Sequence, residues 1–359
     1  MLNLQPSNRR RFAVNSIAAL GMALGMLLAG RRASRLEAQN RHPARAFQPA
    51  FPGLIQPRRL PLPGRPTRFD YESYDPRTHR LYIAHLGDSQ VLVFDTRRQK
   101  LVQIIPGISR VHGVLAVPSL GRVYASATGK NQVAVISEKT LRVIARAPAG
   151  VYPDGLAYES HTHEIYISDE AGGTDTVLNT RTNRRVATIA LGGEAGNTQY
   201  DPVRNLIYVD VQTANRLKAI DPATRKITAS YPLPGCRHDH GLHLIAPLRL
   251  AMIACDGNAR LLAFSLRSHR VLARFSVGKA PDVLAYDAGL RRLYVAAESG
   301  VVAAFALGGS PAAPRVGKLW QGFVAPEAHS IAVDERHRVY LPIQNLRGHP
   351  ALWIFHTHP

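Results

Sequence analysis

Apolar and polar residues alternate in short runs along most of this chain. After residue 57 the first such runs are Phe69 to Tyr74, Arg80 to Ala84, Gln90 to Asp95 and Leu101 to Ile105. Alternation at period two predicts strands with one buried face. Polar turns such as DPRTH and DTRRQ separate them. The phrase then recurs: an apolar stretch, a Tyr-acid pair, a polar turn and an apolar-Tyr-apolar strand. It reads YDPRTHRLYIA, YESHTHEIYIS, YDPVRNLIYVD and YDAGLRRLYVA, with weaker copies VPSLGRVYAS, IAPLRLAMIA and VDERHRVYLP.

The marker tyrosines are Tyr82, Tyr124, Tyr166, Tyr208, Tyr294 and Tyr340, and Met252 fills the missing place. Their spacings are 42, 42, 42, 44, 42 and 46. Four antiparallel strands in a unit of that length make one propeller blade. A lone blade cannot bury both faces, so blades must stack around an axis. The expected fold is all-β, a seven-bladed β-propeller of four-stranded antiparallel blades. The last unit ends at ALWIFHTHP, before its fourth strand. Arg59 to Gly64 (RLPLPG) is similar to the fourth-strand run ASYPLPG, so an N-terminal strand is expected to close the last blade and remove a sheet edge.

The Tyr-Asp-Pro…Tyr-Val/Ile units resemble the YVTN family of β-propeller repeats over residues 58–359. That resemblance implies a fold and leaves activity open. The N-terminus is separate in character. SNRRRFAV precedes an apolar run from Ala13 to Gly30, the pattern of an export signal. Arg9 and Arg10 followed by Phe12 resemble the twin-arginine signal. The expected organisation is a signal peptide at 1–38 (an uncleaved anchor is the alternative), a linker at 39–57 and the propeller at 58–359. The protein is then periplasmic or secreted, or tethered by its N-terminus.

Formal net charge is +20, of which the first 60 residues supply +9 and the remainder +11. The two cysteines, Cys236 and Cys255, suit a disulfide in an oxidising compartment. Thiolate ligation beside His238 and His240 is the other reading. No CxxCH is present, which excludes covalent c-type haem; GxSxG and HExxH are absent too. The glycines are read as turn residues.

In a propeller the first strand of each blade is innermost, and its entry point faces the axis. The residues at that entry are Asp70, His112, Asp154, Asn197 (or Gly196), His240, Asp282 and His329. Loops on the same face add His85, Asp88, Asp169, Glu170, Asp210, His238, Asp256 and Glu298. One reading is a binding site for a small molecule or protein on the axial face. Another is a transition-metal site using His112, His240, His329, Asp154 and Asp282, since imidazole and carboxylate are metal ligands. Nitrous oxide reductases resemble this arrangement in outline, though the histidines here are too few. A third is a His/Asp general base, as the architectural resemblance to seven-bladed lactonases implies.

The opposite face carries Arg77, Arg80, Arg97, Arg98, Arg142, Arg181, Arg184, Arg185, Arg225, Lys226, Arg267, Arg270, Arg291, Arg292, Arg336 and Arg338 in its turns. That charge suits an anionic surface. Nucleic acid is disfavoured, because these turns lack aromatic residues for base stacking. The expected function is a monomeric, ligand- or partner-binding scaffold; the alternative is a metal-dependent, redox or hydrolytic enzyme at the axis.

Overall fold

The computed structural model describes residues 57–357. The expected signal and most of the expected linker lie outside the described residues. Seven four-stranded antiparallel sheets form a ring. Blades 1 to 6 span 72–106, 111–148, 153–190, 195–232, 239–276 and 281–323; blade 7 spans 332–356. Within blades 1 to 6 each strand pairs with the next in the chain, so the first is innermost.

The last blade closes as expected. Arg58–Pro61 pairs antiparallel with His349–His356, from Arg58 opposite Ile354 to Pro61 opposite Ala351. Leu62 then donates its N–H to the Pro350 carbonyl, and the Arg59 guanidinium sits 4.5 Å from the Trp353 ring centroid. The ring therefore begins and ends in one sheet, and the strand covers an edge that would otherwise be unpaired.

The marker residues explain the packing. Tyr82, Tyr124, Tyr166, Tyr208, Tyr294, Tyr340 and Met252 are all buried. They pack between neighbouring sheets: Tyr208 of blade 4 lies in one cluster with Leu262 and Phe264 of blade 5. Each side chain of this size contributes about 1.5–3 kcal/mol by burial.

Polar bonds latch successive blades. Arg80 donates to the Glu138 carbonyl at 2.6 Å, Arg249 to Asp201 at 2.7 Å, and His337 faces Asp287 at 2.8 Å. Arg225 pairs with Glu164, and Arg77 with Glu138. The turn face is therefore less free in charge than its sequence implies. Arg77, Arg80 and Arg225 are engaged across seams, and Arg338 is buried against Asp334 within blade 7. Arg97, Arg98, Arg142, Arg181, Arg184, Arg185, Lys226, Arg267, Arg270, Arg291 and Arg336 stay exposed.

Candidate functional site

The strand entries are not regular. In blade 2, Val111 pairs with Ala127, but the next pair is Val114 with Ala125. His112 and Gly113 thus share one partner position, which is a β-bulge. The same slip occurs at Asp154-Gly155, Gly196-Asn197 and Asp282-Val283, and a single extra residue, His240, causes it in blade 5. A bulge breaks the alternation of the strand and re-aims a side chain. Here it aims the entry residues at the axis.

Two of the glycines permit this. A Cβ on Gly113 would stand 2.0 Å from the Asp154 carbonyl oxygen, and one on Gly241 would stand 2.0 Å from that of Asp282. Both lie inside strands, where they let the next blade's inner strand approach. The expectation that the glycines serve turns is corrected at these positions.

The bulges frame a cavity of about 320 Å³ at the axis. Asp70, His112, Asp154, His240 and Asp282 line it, with Glu170, His238, Asp256 and Glu298 from neighbouring loops. Arg68, Arg110, Tyr152 and Gln212 also line it, and the sequence pattern had not singled them out. The other two entry residues go elsewhere. Asn197 borders a second cavity of about 300 Å³ on the far side, and His329 is buried with Nδ1 on the Glu327 carbonyl at 2.9 Å. His85, Asp88, Asp169 and Asp210 are not in the cavity wall; Asp169, for example, accepts bonds from Thr174 and Thr176 at 2.8 Å.

A strut separates the two cavities. Asn197 of blade 4 donates to Tyr71 Oη of blade 1 at 2.6 Å. Both residues line only the far cavity, whereas Asp282 borders both. The near cavity is therefore a cup with a floor. Burial and the surrounding carboxylates push the Tyr71 hydroxyl well above the usual phenol range, so it stays protonated.

Charge in the cup is largely paired. Arg68 reaches Asp70 at 3.2 Å, Glu298 at 2.7 Å and Asp282 at 3.7 Å. His240 Nε2 lies 3.3 Å from Asp282 and 4.0 Å from Asp154. Burial opposes charge on His240, but Asp282 and Asp154 outweigh it and push its pKa up to about 10. Burial also opposes ionisation of Asp282, yet His240 holds it down at about 2. Asp154 goes the other way: burial and the nearby Asp70 push it well above the carboxylate range. Its Oδ1 is buried and has no hydrogen-bond partner. Burial lowers the pKa of His112. His112 Nδ1 donates to the Arg110 carbonyl at 2.9 Å, which leaves Nε2 to accept from the Tyr152 hydroxyl at 3.0 Å.

Cys236 and Cys255 form a disulfide with Cα atoms 5.3 Å apart. Thiolate ligation is thereby overturned. The bridge pins the segment carrying His238, Asp239 and His240 to the second strand of blade 5, where Asp239 pairs with Cys255. Among the described residues, no group of three or more His, Cys, Asp or Glu is arranged to hold one metal ion.

No family model matches the sequence, and no curated protein matches it. Solved structures do match. Hydrazine synthase of Kuenenia stuttgartiensis is similar with a TM-score of 0.69 at 12% identity, over 82% of this chain and 96% of that one. U3-55K is similar with a TM-score of 0.69 at 12% identity, over 83% and 98%. The WD40 repeats of RRP9 give 0.71 at 12% identity, over 85% of this chain and 100% of theirs. At such identity the likeness speaks to architecture alone: the chain is a seven-bladed β-propeller with the shape of WD40 domains.

Proposed function

We propose that this chain is an exported, non-catalytic propeller that captures a small polar ligand in the axial cup. The carrying observation is the buried, unpartnered Oδ1 of Asp154 in the wall of a floored polar cavity. An unmet buried carboxyl oxygen is costly, and a ligand donor would meet it. The floor favours retention of a ligand over passage through the ring.

The enzyme readings have less support. A general base must be unprotonated at its working pH. His240, between two carboxylates, holds its proton through neutral pH, and His112, whose pKa burial lowers, already has Nε2 engaged by the Tyr152 hydroxyl. The described residues also offer no ligand cluster for the metal-dependent reading. Export is supported by the resemblance of Arg9, Arg10 and Phe12 to a twin-arginine signal and by the disulfide.

Thermal-shift screening of the exported protein against small polar compounds tests the reading. A stabilising compound should lose its effect in Asp154→Leu, which removes the polar contact. Equal stabilisation of the variant would place the ligand elsewhere, and turnover of any bound compound would overturn the non-catalytic assignment.

A further inference from the structure

Among the polar groups left in the cup after its internal pairs are formed, three bear on a charged ligand; the buried Oε1 of Gln212 is also unmet. Arg68 is matched by Asp70, Asp282 and Glu298, His240 by Asp282, and His238 by Asp256 at 3.2 Å. The Arg110 guanidinium and the Glu170 carboxylate line the same cavity, and neither forms an ion pair or side-chain hydrogen bond among the described residues. The third group is Oδ1 of Asp154, in a residue only 2% exposed.

Tyr152 draws these groups together. Its carbonyl accepts the Glu170 N–H at 2.8 Å. Its hydroxyl bonds His112, whose Nδ1 is tied to the Arg110 carbonyl. Asp154 follows it by two positions in the same chain segment. One guanidinium, one carboxylate and the unmet Oδ1 of Asp154, whose other oxygen faces His240 at 4.0 Å, thus lie around one phenol ring.

We propose that the cup takes a small zwitterion of the free amino-acid class, with its carboxylate on Arg110 and its ammonium between Glu170 and Asp154. This deepens the reading of the cup as a ligand site and rests on it. A guanidinium matches a carboxylate in a two-pronged, charge-assisted bond. A simple amine would leave Arg110 unmatched, and a simple anion would face Glu170. A metal ion would gain nothing from the guanidinium. A neutral sugar would leave both charges without a counter-charge.

The test is calorimetric titration of the exported protein with the common L-amino acids, the matching decarboxylated amines, the matching deaminated acids, and glucose. At least one amino acid is expected to bind more than about tenfold tighter than its amine or its acid, the worth of one charge-assisted bond. Arg110→Ala should weaken the amino acid about tenfold or more and spare the amine; Glu170→Gln should weaken both and spare the acid. Both side chains reach the cup from its rim, and circular dichroism would verify the fold of each variant. Glucose, an amine or an acid binding as tightly as every amino acid would overturn the zwitterion and leave the cup as a ligand site. Amino-acid binding unchanged in both variants would overturn it as well. Silence from every probe, with no stabilising compound in the wider screen, would overturn both readings.

Discussion

Asn197 donates a 2.6 Å hydrogen bond to Tyr71 Oη from three blades away, and the bond floors the axial cup. It joins non-neighbouring blades through the axis, as Arg68 does with Asp282 and Glu298 of blade 6. Asn197 also donates to the His240 carbonyl at 3.2 Å. The strut therefore steadies the segment that carries the cup's central cation.

Tyr71→Phe should remove that bond and keep the ring. The loss expected is about 1–2 kcal/mol, since the Asn197 amide keeps only its weaker partner. Urea denaturation of both proteins measures it. A variant as stable as the parent would mean that water replaces the phenol hydroxyl and that the strut holds no load.

The His240–Asp282 pair gives a pH signature with a definite sign. In an unfolded chain a histidine titrates near 6.5 and an aspartate near 3.9. Folding raises His240 to about 10, so its contribution is fully present below about pH 6.5 and fades as pH rises toward 10. Folding lowers Asp282 to about 2, so its contribution is present above about pH 4 and fades as pH falls toward 2. The stability difference between the parent and His240→Gln should be greatest from about pH 4 to 6.5. It should shrink on both sides of that window. Denaturant titrations across the pH range would show it; a difference that grows above pH 7 would contradict a charged His240.

Much of this was legible in the sequence, for reasons that differ by residue. The marker tyrosines declared the blades because each is a large side chain buried at one register position, and packing tolerates little there. The closing strand was legible because an unfinished last unit and RLPLPG fitted one blade. Five of the seven entry residues reach the cup, since counting from the repeat locates the entry itself. The direction of Asn197 and His329 was not legible. The bulge re-aims Asn197 without altering the alternation that signals a strand, and His329 precedes a strand of only two residues, Ala332–Val333. Arg110 and Tyr152 were missed for a related reason. Both adopt positive φ, at 47° and 63°, and no composition rule marks such positions when glycine is absent. The strand glycines Gly113 and Gly241 carried a usable signal, because each directly follows an entry histidine.

The disulfide should support both stability and the cup. It closes a loop with a sequence separation of 19. Constraint of an unfolded chain by such a loop is worth about 3 kcal/mol. Replacing Cys236 and Cys255 together by serine should cost about that much in denaturant titrations. Any ligand found for the cup should also bind more weakly, because His238 and His240 lose their tether to the second strand. Unchanged affinity in a folded double variant would separate the bridge from the site.

The closing strand offers the sharpest structural test. Removing residues 1–56 leaves Arg58–Pro61 in place and should leave the melting temperature of the propeller near its original value. Removing residues 1–64 strips the partner from His349–His356 and takes Arg59 away from the Trp353 ring. Trp353 is only 4% exposed in the closed ring. Its fluorescence should move to longer wavelength as water reaches it, and the bare strand edge should drive association at higher concentration. Light scattering and emission spectra of the two truncations would check both effects. If the longer truncation scattered no more light than the shorter one, with its tryptophan emission unchanged, the ring would be held by the seams between blades, and the Arg80–Glu138 and Arg249–Asp201 latches would become the next bonds to cut.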